Sequence, residues 1–496
     1  MSMTENKNDS IVERVKENPG PAARWGAVMA FLLLLEFGAI WGGIMSIPWD
    51  VPVKGLADVL PAAIGGVVTG IGSVFADVGN AFAEVPTLLE RQWIPNRGYH
   101  VPGEGWQGTF LGLEPAYAWL IRLTLVYVYA AVTAYWAWRG YMTFRRHYRY
   151  ADWTPADDMI DRFRSHNWGR FGLIIVAAFL VMALFAPAVS PTTESQNMTN
   201  PYDTENSMVK YYNENAGEVQ EVTAGSANLA SKSRGDRQNF GLWTYDKYDR
   251  FHPFGTLTTG KDLFTFMAFG GRISLFIGLF ASALAGGIAL SLALLTSYYK
   301  GLVDLATVLT SDAFSAMPRL LVLIMLVTVL QEHWISDIYS GAFLLAFLFG
   351  IWGWMGLWRA IRGPSFQIVE NEWVTAAKGF GDRPWSIVKK HVAPYVIGYL
   401  LIYLSMSLGG YIIGAAGLSY LGLGVTAPTP ELGRAIAGGQ DLITTKSWHI
   451  SVLPGVMITL LVLGFNALGD GIRDAIDPQS SSGDSSGEAA AAGGGA

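Results

Sequence analysis

Long apolar runs separated by short charged stretches set the character of the chain. A helix needs about 20 largely apolar residues to cross a bilayer. Eight stretches qualify: Ala27–Ile47, Ala116–Trp138, Phe171–Val189, Arg272–Tyr298, Leu302–Leu330, Gly341–Ile361, Tyr395–Leu421 and Val452–Ile472. In lipid the backbone must satisfy its own polar groups, and runs of this length do so as helices. The expected fold class is an all-α integral membrane protein. Arg122 sits near one end of its run, where a long cationic side chain is expected to snorkel to the interface. Arg14, Lys16 and Arg24 precede the first run, as they would in a signal peptide. That run is long for such a segment and no A-x-A site follows, so a retained anchor is expected.

Lys and Arg in short loops mark the cytoplasmic side. The stretch between the second and third runs holds Arg139, Arg145, Arg146, Arg149, Arg162, Arg164 and Arg170, and is expected inside. So is Arg362–Pro394, with Arg362, Lys378, Arg383, Lys389 and Lys390. Pro48–Pro115 has only Lys54, Arg91 and Arg97 against seven carboxylates, and Gln331–Ser340 has two acids and no Lys or Arg. Both are expected outside. The alternation predicts eight spans with both termini cytoplasmic, in a plasma or inner membrane. Val59–Ala76 is apolar, Gly-rich and carries Pro61. A crossing there would reverse the Arg-rich loop, so an external interfacial or re-entrant helix is expected.

Composition agrees. The 496 residues are 51% hydrophobic and 15% charged, against about a quarter charged in soluble domains. A net charge of −6 points away from nucleic acid as a partner, and the absence of Cys excludes disulfides, thiolate nucleophiles and Cys-based zinc sites. Residues 479–496 are Ser, Gly and Ala with two acids, and are expected to be a disordered cytoplasmic tail. Val189–Asp249 reads as a long polar external loop. It holds Asn197-Met198-Thr199, a candidate glycosylation acceptor.

Gly255-Thr-Leu-Thr-Thr-Gly260-Lys261-Asp262 nearly matches a phosphate-binding loop. In such a loop, backbone N–H groups wrap the phosphates and a Ser or Thr hydroxyl binds magnesium. Here Asp262 replaces the hydroxyl and would set a carboxylate against phosphate. A glycine turn leading into the fourth span is the better reading. No H-E-x-x-H helix or G-x-S-x-G elbow is present. Asp304 and Asp312 are expected to cap or solvate the membrane interface near Lys300 and Arg319. Without a mid-membrane acid, a stand-alone proton-coupled carrier is the weaker alternative. A pathway would be lined by small polar groups, with Ser282, Ser291, Thr310, Ser311, Ser405 and Ser407 as candidates, although helical hydroxyls often bond back to their own backbone.

The cytoplasmic loop before the seventh span is the most informative stretch. Thr375–Lys378 suits a short helix, Gly379 and Gly381 break it, and Pro384 suits the first turn of another. Trp373, Phe380, Trp385 and Ile387 are apolar residues that either pack on the spans or await a soluble partner. The loop resembles the signature of ABC importer permeases, E-A-A, three residues, G, nine residues, I-x-L-P: Ala376, Ala377, Gly381 and Pro394 fall at its spacing. Further motifs resemble those of the dipeptide/oligopeptide/nickel permease family. Phe254-Gly-Thr256 and Gly271-Arg272-Ile-Ser274-Leu lead into the fourth run. Tyr298-Tyr-Lys-Gly301-Leu-Val-Asp304 follows it, and Met317-Pro318 stands where the family has a Pro-marked helix start. Leu418-Ser-Tyr-Leu421-Gly-Leu-Gly424 and Asn466 to Pro478 complete the series. Departures include Thr375 at the signature Glu position, with Glu372 one turn earlier, His391 and Ala393 for Ile and Leu, and Leu257 for Asp.

The resemblance implies a type I permease core of six helices over residues 170–478. The first 169 residues have no recognised counterpart in that family; their two apolar runs are expected to be two additional transmembrane helices in an N-terminal extension, residues 1–169. The core's external loop spans 190–250 and its coupling loop 365–394. The resemblance implies a half-transporter for dipeptides or oligopeptides, paired with a sister permease, two ATPase subunits and an external substrate-binding protein. The coupling residues would be Glu372, Thr375, Ala376, Ala377, Gly381, Asp382, Arg383 and Pro394. The chain would perform no catalysis and bind no cofactor or metal, ATP and magnesium belonging to the ATPases. Nickel or another small solute is the alternative cargo.

Overall fold

The computed structural model describes residues 11–45, 53–55, 57, 62–83, 85, 87, 89, 91–151 and 153–476. The tail 479–496 therefore lies outside the described residues. Six helices are long and apolar enough to cross a membrane, or seven if one bent pair counts as a span. The second, third, fourth, sixth, seventh and eighth expected spans appear as Pro115–His147, Asn167–Leu184, Leu263–Tyr299, Ala342–Val369, Ala393–Tyr420 and His449–Ile476.

Two expected spans are broken. The first is split into Pro19–Leu35 and Phe37–Met45 at Glu36. Glu36 is 1% exposed and its carboxylate accepts from Leu89 N at 3.1 Å. A polar group inside the apolar run thus finds its partner on a later segment. The fifth is broken between Gly301–Ser315 and Arg319–Leu330, which bend by 82°. Pro318 sits at the junction with extended backbone geometry, and proline cannot supply the N–H that would continue the first helix. Ala62–Ala83 folds back on Phe37–Met45 through Phe37–Phe82 and Trp41–Phe82 ring contacts of 5.6 and 5.5 Å. It runs beyond the expected Val59–Ala76, whose first residues lie outside the described residues.

Small side chains set the core. Ile277, Ala281, Ala285, Ala289 and Ala293 recur every fourth residue along Leu263–Tyr299 and are all 0% exposed. Such a stripe lets helices approach closely in lipid, where packing rather than the hydrophobic effect drives association. Here it faces a cluster from Ala342–Val369 and Ala393–Tyr420, including Leu345, Phe349, Trp358 and Ile361. Between Asn167–Leu184 and His449–Ile476 the backbones nearly touch. A Cβ on Gly172 would lie 2.4 Å from Leu468 N, and one on Gly169 would lie 2.7 Å from Gly471 Cα.

The segment expected as a long polar external loop is a folded unit. It contains the hairpin Met208–Asn213/Glu218–Thr223, with Gly217 turning at φ +68, and the helix Ala224–Ala230. Arg250, Asp246, His252 and Asp262 form its buried polar centre, with Arg250–Asp246 at 2.7 Å and His252–Asp262 at 2.9 Å. Burial pushes the Asp246 carboxyl up, but Arg250 and His252 outweigh it and hold it well below the usual carboxylate range.

Gly255–Asp262 is a turn into the fourth span. Gly255 and Gly260 have φ of +78 and +81, Thr256 pairs with Asp262, and the Asp262 carboxylate caps the next helix from Thr265 N at 2.7 Å. The glycosylation reading of Asn197 fails. Asn197 is 1% exposed, and its amide exchanges two hydrogen bonds with the Asp262 backbone, at 2.7 and 3.1 Å. A modified amide could not occupy that site.

Arg122 does not snorkel. It is 0% exposed and donates to the carbonyls of Ala188, Ile94 and Ser190 at 2.6, 2.9 and 2.9 Å. Arg91 adds bonds to Pro187, Ser190 and Thr192 carbonyls, and Trp119 Nε1 donates to Val189 O at 2.8 Å. The N-terminal extension is thereby stapled to the stretch that opens the folded unit.

Glu431 caps Leu432–Gly439 by accepting from Arg434 N at 3.1 Å, and it is 0% exposed. Burial pushes its carboxyl up to about 7. A carboxyl raised on folding contributes stability in acid, and that contribution is lost as pH rises from the ordinary carboxylate range through about 7. Glu431→Gln keeps the acceptor and removes the charge. It is expected to stabilise the protein above neutrality by about 3 kcal/mol and to change nothing in acid. Thermal unfolding of both proteins across that range measures this, and equal melting at all pH values would refute it.

Candidate coupling loop and translocation face

The loop 365–394 starts later than expected. Residues 365–369 complete the helix Ala342–Val369, and Ser365 is buried with its hydroxyl on Ile361 O at 2.7 Å. Glu372–Gly379 then forms the first short helix and Pro384–Ile387 the second, with Pro384 in its first turn and Arg383 as its N-cap residue.

The reversal between them closes with two backbone bonds. Asp382 N donates to Ala377 O at 3.2 Å, and Gly381 N donates to Lys378 O at 3.1 Å. This is the glycine-terminated helix end in which one residue takes positive φ, and Gly381 has φ +81.

The turn sorts the apolar residues. Val374, Ala377 and Ile387 face inward at 0, 8 and 1% exposure, while Phe380 and Trp385 stand out at 91 and 73%. Trp373 is half-exposed and lies 5.8 Å from the Tyr395 ring. Glu372, Thr375, Ala376, Asp382, Arg383 and Pro394 are exposed on the same loop. Ala377 therefore belongs to the chain's own packing. The Lys378 ammonium lies 4.9 Å from the Tyr298 ring centroid, linking the loop to the end of the longest core helix.

Of the six hydroxyls expected along a pathway, four bond back to their own helices. Ser291, Thr310, Ser405 and Ser407 donate to Gly287, Ala306, Leu401 and Tyr403 carbonyls at 2.8 to 2.9 Å. Ser282 is buried at 6%, and Ser311 is fully buried, accepting from Arg359 Nε at 3.0 Å. Ser407 lines a cavity. That cavity, about 540 Å³, opens between the bent helix pair and the middles of Ala342–Val369 and Ala393–Tyr420.

The two carboxylates of the fifth run have other partners than expected. Asp304 pairs with Arg362, whose Nε lies 2.7 Å away, and Asp312 pairs with Arg359 at 2.5 Å. They tie the first half of the bent pair to Ala342–Val369. Arg319, expected beside them, instead lines the cavity. The sequence did carry a signal: Arg319 directly follows the proline that breaks an apolar run.

A body of helices long and apolar enough to cross a membrane, a glycine-turned loop and a mid-helix cavity of mixed polar and apolar lining fit a transport permease. Known proteins narrow the class. Residues 283–482 match the model of the binding-protein-dependent transport system inner membrane component, and residues 154–208 match the N-terminal transmembrane domain of oligopeptide transport permease C. The chain is 28% identical over 331 residues to a dipeptide transport system permease protein of Alkalihalophilus pseudofirmus, covering 67% of this chain and 92% of the relative. It is 29% identical over 322 residues to an oligopeptide transport system permease protein of Bacillus subtilis, covering 65 and 89%. It is 32% identical over 243 residues to a glutathione transport system permease protein of Pectobacterium atrosepticum, covering 47 and 77%. The chain belongs to the dipeptide/oligopeptide/nickel family of ABC importer permeases. Permeases of this family are not enzymes and bind no cofactor of their own.

Proposed function

We propose that this chain forms half of the translocation pathway of an ATP-driven importer of small peptides. The other half is a sister permease, and an external binding protein delivers the cargo. Two cytoplasmic ATPases, which hold ATP and magnesium, engage the permeases from below. The turn at Gly381 carries this reading. It presents Phe380 and Trp385 almost fully exposed on a well-formed two-helix loop, a costly arrangement unless a soluble partner covers them. Closure of the ATPases would push on this loop and switch the pathway between inward and outward access. Peptides are the cargo that best fits the relatives, which are named for dipeptides, oligopeptides and glutathione.

In this reading the extension 1–169 precedes a six-span core, 170–478, and both termini lie in the cytoplasm of the cell membrane. Purification of the tagged chain from cells expressing the whole importer tests the assembly. The expected result is a complex holding two ATPase subunits and a second permease; a chain that purifies alone would refute it.

Orientation has its own test, because native Cys is absent. Cys placed at Ser226 or Ser336 is expected to react with an impermeant maleimide on intact cells, and Cys at Ser165 or Ser386 only after permeabilisation. External labelling at Ser165 would overturn the orientation.

A further inference from the structure

The cavity beneath the bend holds a cation with no counter-ion. Arg319 makes no hydrogen bond or ion pair among the described residues; its guanidinium lies 5.7 Å from the Phe349 ring centroid, with Tyr411 also within electrostatic reach. The other two arginines on this side of the fold, Arg359 and Arg362, both hold carboxylates. The cavity wall begins at Trp352 on one 28-residue helix and at Tyr403 on the other. At 1.5 Å of rise per residue, that is about 15 Å in from the first residue of each helix. Counted from the helix ends, this is about half the 30 Å thickness of a bilayer's hydrocarbon core. Arg319 is exposed there, open to whatever enters the cavity, and an ionisable group within a membrane span marks a solute route by default.

The surroundings suit a polar solute with an anionic end. Arg319 opens the helix Arg319–Leu330, so the positive end of that helix dipole points the same way as the guanidinium. Tyr403, Ser407 and Tyr411 line the opposite wall. Gly353 makes room for Tyr411, whose hydroxyl oxygen would lie 2.0 Å from a Cβ at that position. Cβ atoms at Gly356 and Gly410 would meet nothing within 4 Å, so both glycines border open space. A volume of about 540 Å³ falls within the range of small-molecule sites.

We propose that Arg319 receives the carboxylate of a peptide in transit, so that this half of the pathway favours cargo with a free carboxylate. The inference rests on the import function proposed above. A guanidinium binds a carboxylate through paired, charge-assisted hydrogen bonds. It does so only when the cargo is present, which gives a transient site rather than a structural ion pair.

The test uses the complete importer in proteoliposomes with its binding protein saturating, and radiolabelled trialanine as the probe. Arg319→Gln is expected to cut uptake about tenfold or more, the scale of one lost charge-assisted contact. Arg319→Lys, which keeps the charge, is expected to retain a substantial part. Gly410→Leu fills open space without an internal clash and is expected to block uptake with the complex still assembled. Parental uptake by Arg319→Gln, or equal losses in the Gln and Lys variants, would overturn the proposal. So would loss of the sister permease from purified Arg319→Gln complexes, which would assign Arg319 to the subunit interface. If the parental complex holds ATPases but moves no trialanine, the peptide reading fails, and this inference with it. If it holds no ATPases, the importer reading itself fails.

Discussion

Arg122→Met should detach the N-terminal extension from the core. The side chain is fully buried and each of its three nitrogens donates to a carbonyl, of Ala188, Ile94 and Ser190. Methionine matches the stem but donates nothing. The carbonyls would then be left short of donors in a site closed to water, at about 1–3 kcal/mol for each group stranded. The expected loss is about 3 kcal/mol or more, large beside ordinary stabilities. Arg91 reaches the same stretch and would hold part of the contact, so the double substitution should be worse than the sum of the two. The measurement is limited proteolysis from the external side with thermal unfolding in detergent. Cleavage between residues 85 and 97 should appear in Arg122→Met and be absent in Arg139→Met, an exposed position on the same helix. Equal resistance in both variants would show that the guanidinium does not hold the extension. The same geometry bears on truncation. Removing residues 1–138 would take Arg122 away from the Ala188 and Ser190 carbonyls, so a shortened chain should insert and pack poorly even though the six core helices remain.

Gly381→Trp is the second large effect, and it should appear in transport rather than folding. The residue sits at φ +81 with nothing within 4 Å of a built Cβ. A side chain there meets no neighbour in this chain. The cost within the chain is the left-handed backbone alone, about 1 kcal/mol. A partner seated over Phe380 and Trp385 would meet the new indole directly. Uptake and ATPase co-purification are therefore expected to fall about tenfold or more, while insertion and pairing with the sister permease persist. Gly217 is a matched control. It turns at φ +68, is likewise free of neighbours, and lies in the external hairpin. Gly217→Trp bears the same backbone strain without facing the ATPases and should transport normally. If both variants behave like the parent, the loop 365–394 is not the coupling element.

The helical body was legible in the sequence because the bilayer imposes a length and an apolar composition on every crossing segment. Six of the eight expected spans appear with ends displaced by a few residues to about a turn or two. The two failures depend on more than the local sequence. Glu36 sits inside an apolar run, and its bond to Leu89 depends on a segment far along the chain. Pro318 was read as a helix start, but an 82° bend is a property of two packed helices that no window average contains.

The two short helices and the turn of the candidate coupling loop were readable in detail, since Gly381 and Pro384 are residues whose backbone preferences act locally. The pathway was not. Ser282 and Ser311 look like lining residues on composition, yet which face of a helix turns inward depends on neighbours far away in sequence. Arg319 was passed over for the same reason: it was assigned to Asp304 and Asp312, whose true partners, Arg359 and Arg362, lie one helix further on. Asn197 shows the converse error. A tripeptide that reads as a surface acceptor is locked against Asp262 by a contact spanning 65 residues of chain.

The seam between extension and core is written mostly in main-chain oxygen. Arg91 and Arg122 grip carbonyls that every residue type possesses, so the grip does not depend on which side chains occupy 187–192. Substitutions at Pro187, which is exposed, should leave that grip intact, while buried Val189, Ser190 and Pro191 answer to packing as well. A change of side chain on one side of the seam therefore calls for no matching change in the arginines on the other.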